Sequence, residues 1–220
     1  MNDSPHFVLS ETPSIANRFL AELRDLSIQS DRMRFRRNLE RIGEVLAYEV
    51  SKSFNYQNQQ ISTPLGTHST PFPTSSPVLV SILRAGLPLH QGVLNYFDQA
   101  DNGFIGAYRN TDEQDSQGFS IQLDYESIPP LQDRPLLLID PMLATGRTLV
   151  KALHGITAYG TPSQIHILSA IAAPEGIAYL KKEWSSSFSL WIGAIDDHLN
   201  AKSYIVPGLG DAGDLAFGKK

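Results

Sequence analysis

The residues best suited to chemistry lie closest together in the run Leu136-Leu137-Leu138-Ile139-Asp140-Pro141-Met142-Leu143-Ala144-Thr145-Gly146-Arg147-Thr148. Four apolar residues read as a buried strand, an acid stands where that strand ends, and a turn of small residues leads into a helix that begins near Arg147. Such a unit offers free backbone N–H groups and the positive end of a helix to a phosphate, and a carboxylate to sugar hydroxyls. Ala144, Thr145 and Gly146 are small enough to let a phosphate reach the backbone. Thr145 and Thr148 add hydroxyls, and Asp140 can accept from two adjacent ribose hydroxyls. The same run also reads as an ordinary strand–turn–helix with an N-capping threonine. It contains neither a Gly-x-x-x-x-Gly-Lys loop nor Gly-x-Gly-x-x-Gly.

Three other segments place polar groups beside a turn. Ile82-Leu83-Arg84-Ala85-Gly86-Leu87-Pro88 ends a strand on an arginine and opens a helix with proline in its first turn, a second anion-compatible terminus or a plain structural turn. Tyr108-Arg109-Asn110-Thr111 follows a strand and opens an acidic stretch, either a lid that excludes water or a surface loop. Tyr204-Ile205-Val206-Pro207-Gly208-Leu209-Gly210-Asp211-Ala212-Gly213-Asp214 holds too many glycines, and a proline, to be a regular helix or a central strand. Its backbone could read the edge of a flat heterocycle. Ile205 and Leu209 argue that it packs rather than trails as a loose tail.

The elements that must position these segments alternate. Helical patterns cover residues 14–28 and 31–54, the second with Asp31 as N-cap. Its arginines (Arg32, Arg34, Arg36, Arg37, Arg41) read as a solvated or subunit-facing surface, or as an anion site. Residues 55–77, rich in Ser, Thr, Pro, Gln and Asn, read as a loop or irregular hairpin. Strands are expected at 78–83, 104–108, 119–125, 136–139, 165–172 and 188–195, with helices at about 88–97, 147–159 and 177–182. The pattern predicts an α/β fold, a mostly parallel central sheet with helices on both faces. Ligands bind such sheets beyond the carboxyl ends of the strands, where Arg84, Arg109, Asp140 and the pair Asp196-Asp197 gather.

The bulk numbers bound the partners. A chain of 220 residues with 41% apolar content can bury a core, and its net charge of −5 argues against nucleic acid. Without cysteine there is no disulfide framework and no thiolate zinc site. No apolar run approaches the roughly 18 residues of a membrane span, and Met1 to His6 do not open a secretory leader. A cytoplasmic protein without a membrane partner is expected.

With these segments in view, the chain resembles the uracil phosphoribosyltransferases. The matching runs are Ile82 to Leu87, Tyr108-Arg109-Asn110, Asp140 to Gly146, Ala172-Ala173-Pro174-Glu175-Gly176 and Tyr204 to Asp214, and the helix from Phe35-Arg36 to Tyr48-Glu49 also fits. The resemblance implies a type I phosphoribosyltransferase fold over residues 1–220, with a lid or hairpin region at about 104–135 and a base-binding hood at about 196–220. It implies the reaction of uracil with 5-phosphoribosyl 1-diphosphate to give UMP and diphosphate. It gives Asp140, Arg109, Arg84 and Asp211 as catalytic residues. Pro141, Met142, Leu143, Ala144, Thr145, Gly146, Arg147 and Thr148 are expected to bind the donor with them, the 5-phosphate lying on the amides from Ala144 to Thr148. Ile205, Gly210 and Ala212 would read uracil through their backbone, with Asp211 near the ribose–diphosphate end. Magnesium is expected to travel with the diphosphate, and a homodimer or homotetramer is expected.

The chain departs from the family pattern in Arg147 and Thr148, where Gly and Ser are usual, in the longer polar stretch at 55–76, in the lid stretch Thr111 to Gln117, and in Asp196-Asp197-His198. Arg147 either strengthens phosphate binding or points to solvent. A phosphoribosyltransferase for another base and a non-catalytic nucleotide-sensing regulator on the same scaffold are the alternatives.

Overall fold

The structure, a computed structural model, describes residues 6–110 and 120–219. In chain order these form β1 (His6–Val8), α1 (Ala16–Arg24), α2 (Arg32–Ser51), β2 (Tyr56–Thr63), β3 (Gly66–Pro73), β4 (Val78–Leu83), α3 (Leu87–Leu94), β5 (Asp101–Asn110) and β6 (Ser120–Ser127). There follow β7 (Pro135–Ile139), β8 (Met142–Leu143), α4 (Arg147–Ile156), β9 (Gln164–Ala172), α5 (Pro174–Glu183), β10 (Ser189–Ile195), β11 (His198–Leu199), β12 (Ile205–Val206) and α6 (Ala212–Phe217).

The central sheet runs β1-β10-β9-β7-β4-β5-β6, and β8 pairs with β9 beyond the end of β7. All pairings in it are parallel except β5 with β6. β7 lies between β4 and β9, and its residues Leu136 to Ile139 are fully buried. That burial on both faces explains why its sequence is continuously apolar rather than alternating. Leu79, Leu137, Ile139 and Leu168 face one layer, with α1, α2, α3 and α6. Val80, Leu136, Leu138 and Ile167 face the other, with α4 and α5. Helices on both faces of a mostly parallel sheet are therefore observed.

α2 starts where its sequence says it should. The Asp31 carboxylate accepts from the Arg34 N–H at 3.0 Å, capping the helix, and Phe35, Leu39, Ile42, Leu46 and Val50 are buried along one face. Four of the five arginines of the basic cluster on this helix are engaged within the chain. Arg34 pairs with Glu22 of α1, Arg37 with Glu40, Arg36 donates to the Ala216 carbonyl, and Arg41 lies over Phe19.

Some expectations need correction. Of the two readings of the polar stretch 55–77, the structure shows the hairpin, but as a regular two-stranded antiparallel ribbon, β2 with β3, almost wholly exposed. It gave no strand signal because neither face packs on this chain, so no apolar alternation is required. β1 was not expected, being only three residues long, nor was α6, which begins inside the glycine-rich run. No helix among the described residues is long and apolar enough to cross a membrane. The stretch from Thr111 to Gly118, read above as a possible lid, lies outside the described residues.

Candidate active site at the carboxyl rim of the sheet

A cavity of about 800 Å³ opens beyond the carboxyl ends of β4 and β7. Its walls come from the turn after β4 (Ile82 to Ala85), from Asp140 and the run Met142 to Gly146 with Thr148 and Leu149, and from Ser203, Tyr204 and Gly210 to Asp214. Ala107 of β5 and Lys219 complete it. Segments more than a hundred residues apart in sequence thus share one space, as expected for the rim of a parallel sheet.

Asp140 stands one residue past β7. Its own N–H reaches the Leu168 carbonyl at 3.1 Å, and its Oδ1 accepts from the Met142 N–H at 3.2 Å. Burial pushes its carboxyl up to about 7, against the smaller downward pull of the Met142 N–H. A carboxyl lifted in this way on a cavity wall is a mark of a functional site.

The turn that follows is clamped from behind. Gly146 has φ of +76° and occupies the N-cap position of α4, which has no side-chain cap. The first turn of α4 therefore keeps backbone donors for a ligand, with the partial positive charge of the helix behind them. The start of α5 presses on this turn. A β-carbon on Gly146 would lie 2.6 Å from the Gly176 carbonyl, and one on Gly176 would run into the carbonyl of Ala144. Glu175, next to it, accepts from the Leu199 N–H at 2.9 Å, which holds its carboxyl below the usual range and ties α5 to β11. The run Ala172 to Gly176 thus fastens the small-residue turn on one side and the 198–206 hairpin on the other.

Arg84 reaches the opposite side of the cavity. Its Nη2 donates to the Gly218 carbonyl at 3.1 Å and stands 3.7 Å from the Asp214 carboxylate. The Leu83–Arg84 peptide is cis, as is Val206–Pro207.

A family model described as uracil phosphoribosyltransferase matches residues 9–219. The chain belongs to the uracil phosphoribosyltransferase family.

Among relatives in that family, the uracil phosphoribosyltransferase of Porphyromonas gingivalis is 47% identical over 207 residues, 94% of this chain and 95% of its own. That of Methanothermobacter thermautotrophicus is 38% identical over 187 residues, 84% of each chain. The solved structure of the AQ2163 protein from Aquifex aeolicus superposes with a TM-score of 0.85 at 30% identity, covering 97% of this chain and 98% of that one.

Most of the residues that the family resemblance singles out meet in the cavity. Arg84, Asp140, Met142, Leu143, Ala144, Thr145, Gly146, Thr148, Gly210, Asp211 and Ala212 all line it. Three others do not. Pro141 is buried behind the wall, its carbonyl accepting from Ala170 and Ile171. Arg147 lies against α5, its guanidinium 5.8 Å from the centre of the Tyr179 ring. Ile205 sends its side chain into the core, where it is 4% exposed. The backbone at Arg109 lies one residue before the end of β5, and its side chain lies outside what is described.

Sequence reasoning missed Lys219, Ser203 and Ala107, and gave Tyr204, Gly213 and Asp214 no role. Tyr204, Gly213 and Asp214 fall inside a run already marked by its glycines and acids. Lys219 carries no local signal; the fastening of the preceding residues to Arg36 and Arg84 brings it to the cavity wall.

Proposed function

We propose that this protein transfers the 5-phosphoribosyl group of 5-phosphoribosyl 1-diphosphate to uracil, giving UMP and diphosphate. The observation that carries this reading is the meeting of three recognition elements in one cavity: the glycine turn at α4, the Asp140 carboxylate, and the Gly210–Ala212 backbone.

The chemistry asked of the residues is positioning and charge stabilisation. The C1–O bond to diphosphate breaks while uracil nitrogen bonds to C1 and gives up its proton to the departing diphosphate or to water, so positive charge develops on the sugar and negative charge on the leaving group. No nucleophilic side chain is required. The amides from Ala144 to Thr148 hold the 5-phosphate, and Asp140 accepts from the ribose hydroxyls beside C1. Arg84, with Arg109, neutralises the departing diphosphate, and Asp211 stands at the ribose–diphosphate end. The edge of uracil lies along the backbone from Ile205 to Ala212. Backbone N–H groups aimed at its carbonyls find no acceptor on the amino group of cytosine, and each buried unpaired donor costs about 1–3 kcal/mol.

Magnesium fits this site as a companion of the donor. Among the described residues no three His, Cys, Asp or Glu side chains cluster to cage a metal. Carboxylates do line the cavity, so a hard cation would draw on diphosphate oxygens, water and Asp140 or Asp211. When bound it supplies charge neutralisation on the leaving group.

We place the subunit contact of the expected homodimer or homotetramer at the β2–β3 ribbon. The ribbon is exposed on both faces, and from Ser53 to Leu83 there is no Asp, Glu, Lys or Arg to guard its edges. A lone two-stranded ribbon is marginal in water, so a covering partner is needed, and a second copy supplies one. We also assign the protein to the cytoplasm.

The test is incubation of the protein with labelled uracil, the activated sugar and magnesium. Formation of UMP is the expected outcome. Turnover of another base in place of uracil, or tight nucleotide binding without turnover, would overturn the reading in favour of one of the alternatives given above.

A further inference from the structure

We infer that the ion pair between Arg24 and Asp196 is a positioning device for the base-reading turn, fixing the backbone that selects uracil without touching the base. The inference deepens the reading above and rests on it.

Arg24 is the last residue of α1, and Asp196 follows β10. The two are 172 positions apart and meet as a fork: Nη1 donates to Oδ2 at 2.7 Å and Nη2 to Oδ1 at 2.6 Å. Asp196 is buried, with 7% of its surface exposed. Charge-assisted, two-pronged bonds of this kind fix direction as well as distance.

The pair grips one residue of the turn by both of its backbone groups. Nη1 of Arg24 also donates to the Gly208 carbonyl at 2.9 Å, and the Gly208 N–H donates to Asp196 Oδ2 at 2.9 Å. Gly208 has φ of +61°, and a β-carbon there would run into the Ile205 carbonyl. The next carbonyl, that of Leu209, accepts from Gln29 Nε2 at 3.3 Å. With these groups held from the α1 side, the peptides that follow, Gly210 to Ala212, are the ones left at the cavity wall.

Neither Arg24, Asp196 nor Gln29 lines the cavity. Their effect on a substrate can come only through the turn. That turn needs such support, because it carries glycines at 208 and 210, both with positive φ, and glycine gives little intrinsic direction. Recognition by backbone hydrogen bonds fails when donors drift by more than about 0.5 Å. A buried ion pair adds little stability over an apolar pair of the same size, so its use here is to fix geometry.

The experiment compares wild type with Arg24→Lys, Asp196→Asn and the double variant, each assayed well below its melting temperature. Arg24→Lys keeps the charge and loses the fork, which guards against a variant that does not fold. The expected result is a KM for uracil raised about tenfold or more, with the KM for the activated sugar unchanged. The double variant should be no worse than the more damaging single one, since the pair acts as a unit. Folded variants with lower melting temperatures and an unchanged KM for uracil would overturn the inference and leave the function standing. A wild-type protein that makes no UMP would overturn the function and this inference together.

Discussion

Gly146 and Gly176 stand so close that a β-carbon on the first would lie 2.6 Å from the carbonyl oxygen of the second. The turn proposed to face the phosphate is thus pressed against the start of α5, and its shape depends on a helix that lines no part of the cavity. Gly176→Ala would drive its methyl group into the Ala144 carbonyl and push the turn toward the cavity. Overpacking of this kind costs about 1–3 kcal/mol. The expected outcome is a lower melting temperature and a KM for the activated sugar raised about tenfold, with the KM for uracil changed far less. Initial rates with each substrate varied in turn check it.

Arg84 lines the cavity on the side proposed for the diphosphate of the donor. It is partly exposed, donates to the Gly218 carbonyl and stands beside Asp214, so its removal leaves no buried charge alone. Arg84→Ala should therefore fold normally while weakening donor binding by about 1.5–3 kcal/mol, the worth of a hydrogen bond to a charged group. Because surface charges are screened by salt, the wild-type KM for the donor should rise with potassium chloride. The rise should be shallower in the variant. Equal slopes would mean that Arg84 does not meet the diphosphate.

Much of this site was legible in the sequence because its parts are local. The strand Leu136–Ile139 is apolar throughout since it is buried on both faces, and Asp140 and Gly146 that follow stand in the cavity wall. Asp31 marks the start of α2 as capping chemistry requires. What escaped notice was long-range. The grip of Arg24 and Asp196 on Gly208 joins residues with no shared local pattern. The direction of Arg147, toward Tyr179 rather than into the cavity, depends on how α4 packs on α5. A hairpin was one of the two readings of the β2–β3 ribbon, but its regular strands were not legible for a different reason: the ribbon obeys no burial pattern within this chain.

That ribbon gives a prediction about assembly. Ile61 pairs with His68, and Phe72 with Gln57, which puts both apolar side chains on one face of the ribbon. Replacing both by lysine puts charge on that face and should shift the oligomer toward monomer without unfolding the core, from which the ribbon stands apart. Light scattering of the purified variant gives the mass directly. An unchanged mass would place the subunit contact elsewhere.

Asp140 ties stability to pH. Its carboxyl, ordinarily near 3.8, is raised to about 7 in the folded protein, chiefly by burial. Between those values the folded chain holds a proton that the unfolded chain has lost, so this group makes stability fall as pH rises from about 4 to 7, and the loss levels off above. Asp140→Asn keeps the acceptor for the Met142 N–H and removes the charge. Its gain in stability over wild type should grow across that window by roughly 4 kcal/mol, complete by pH 8. Turnover should fall about a hundredfold, because the charge facing the developing positive sugar is gone. Thermal melts across the pH range, with rates at pH 8, check both. A constant difference in melting temperature would show that Asp140 does not titrate there.

Ala212 is the most direct probe of the base site. It is 2% exposed, lines the cavity, and opens α6 immediately after Asp211, whose carboxylate accepts from the Asp214 N–H at 2.9 Å and caps that helix. A larger side chain at 212 must point either into the space assigned to uracil or into the layer of α1, α2 and α6. Ala212→Leu should accordingly raise the KM for uracil by an order of magnitude or more, while the KM for the activated sugar holds. If the leucine turns inward instead, the melting temperature falls by the cost of overpacking and both KM values stay near wild type. The two outcomes separate on a single pair of substrate titrations and a melt. The second would move the base away from the Gly210–Ala212 backbone.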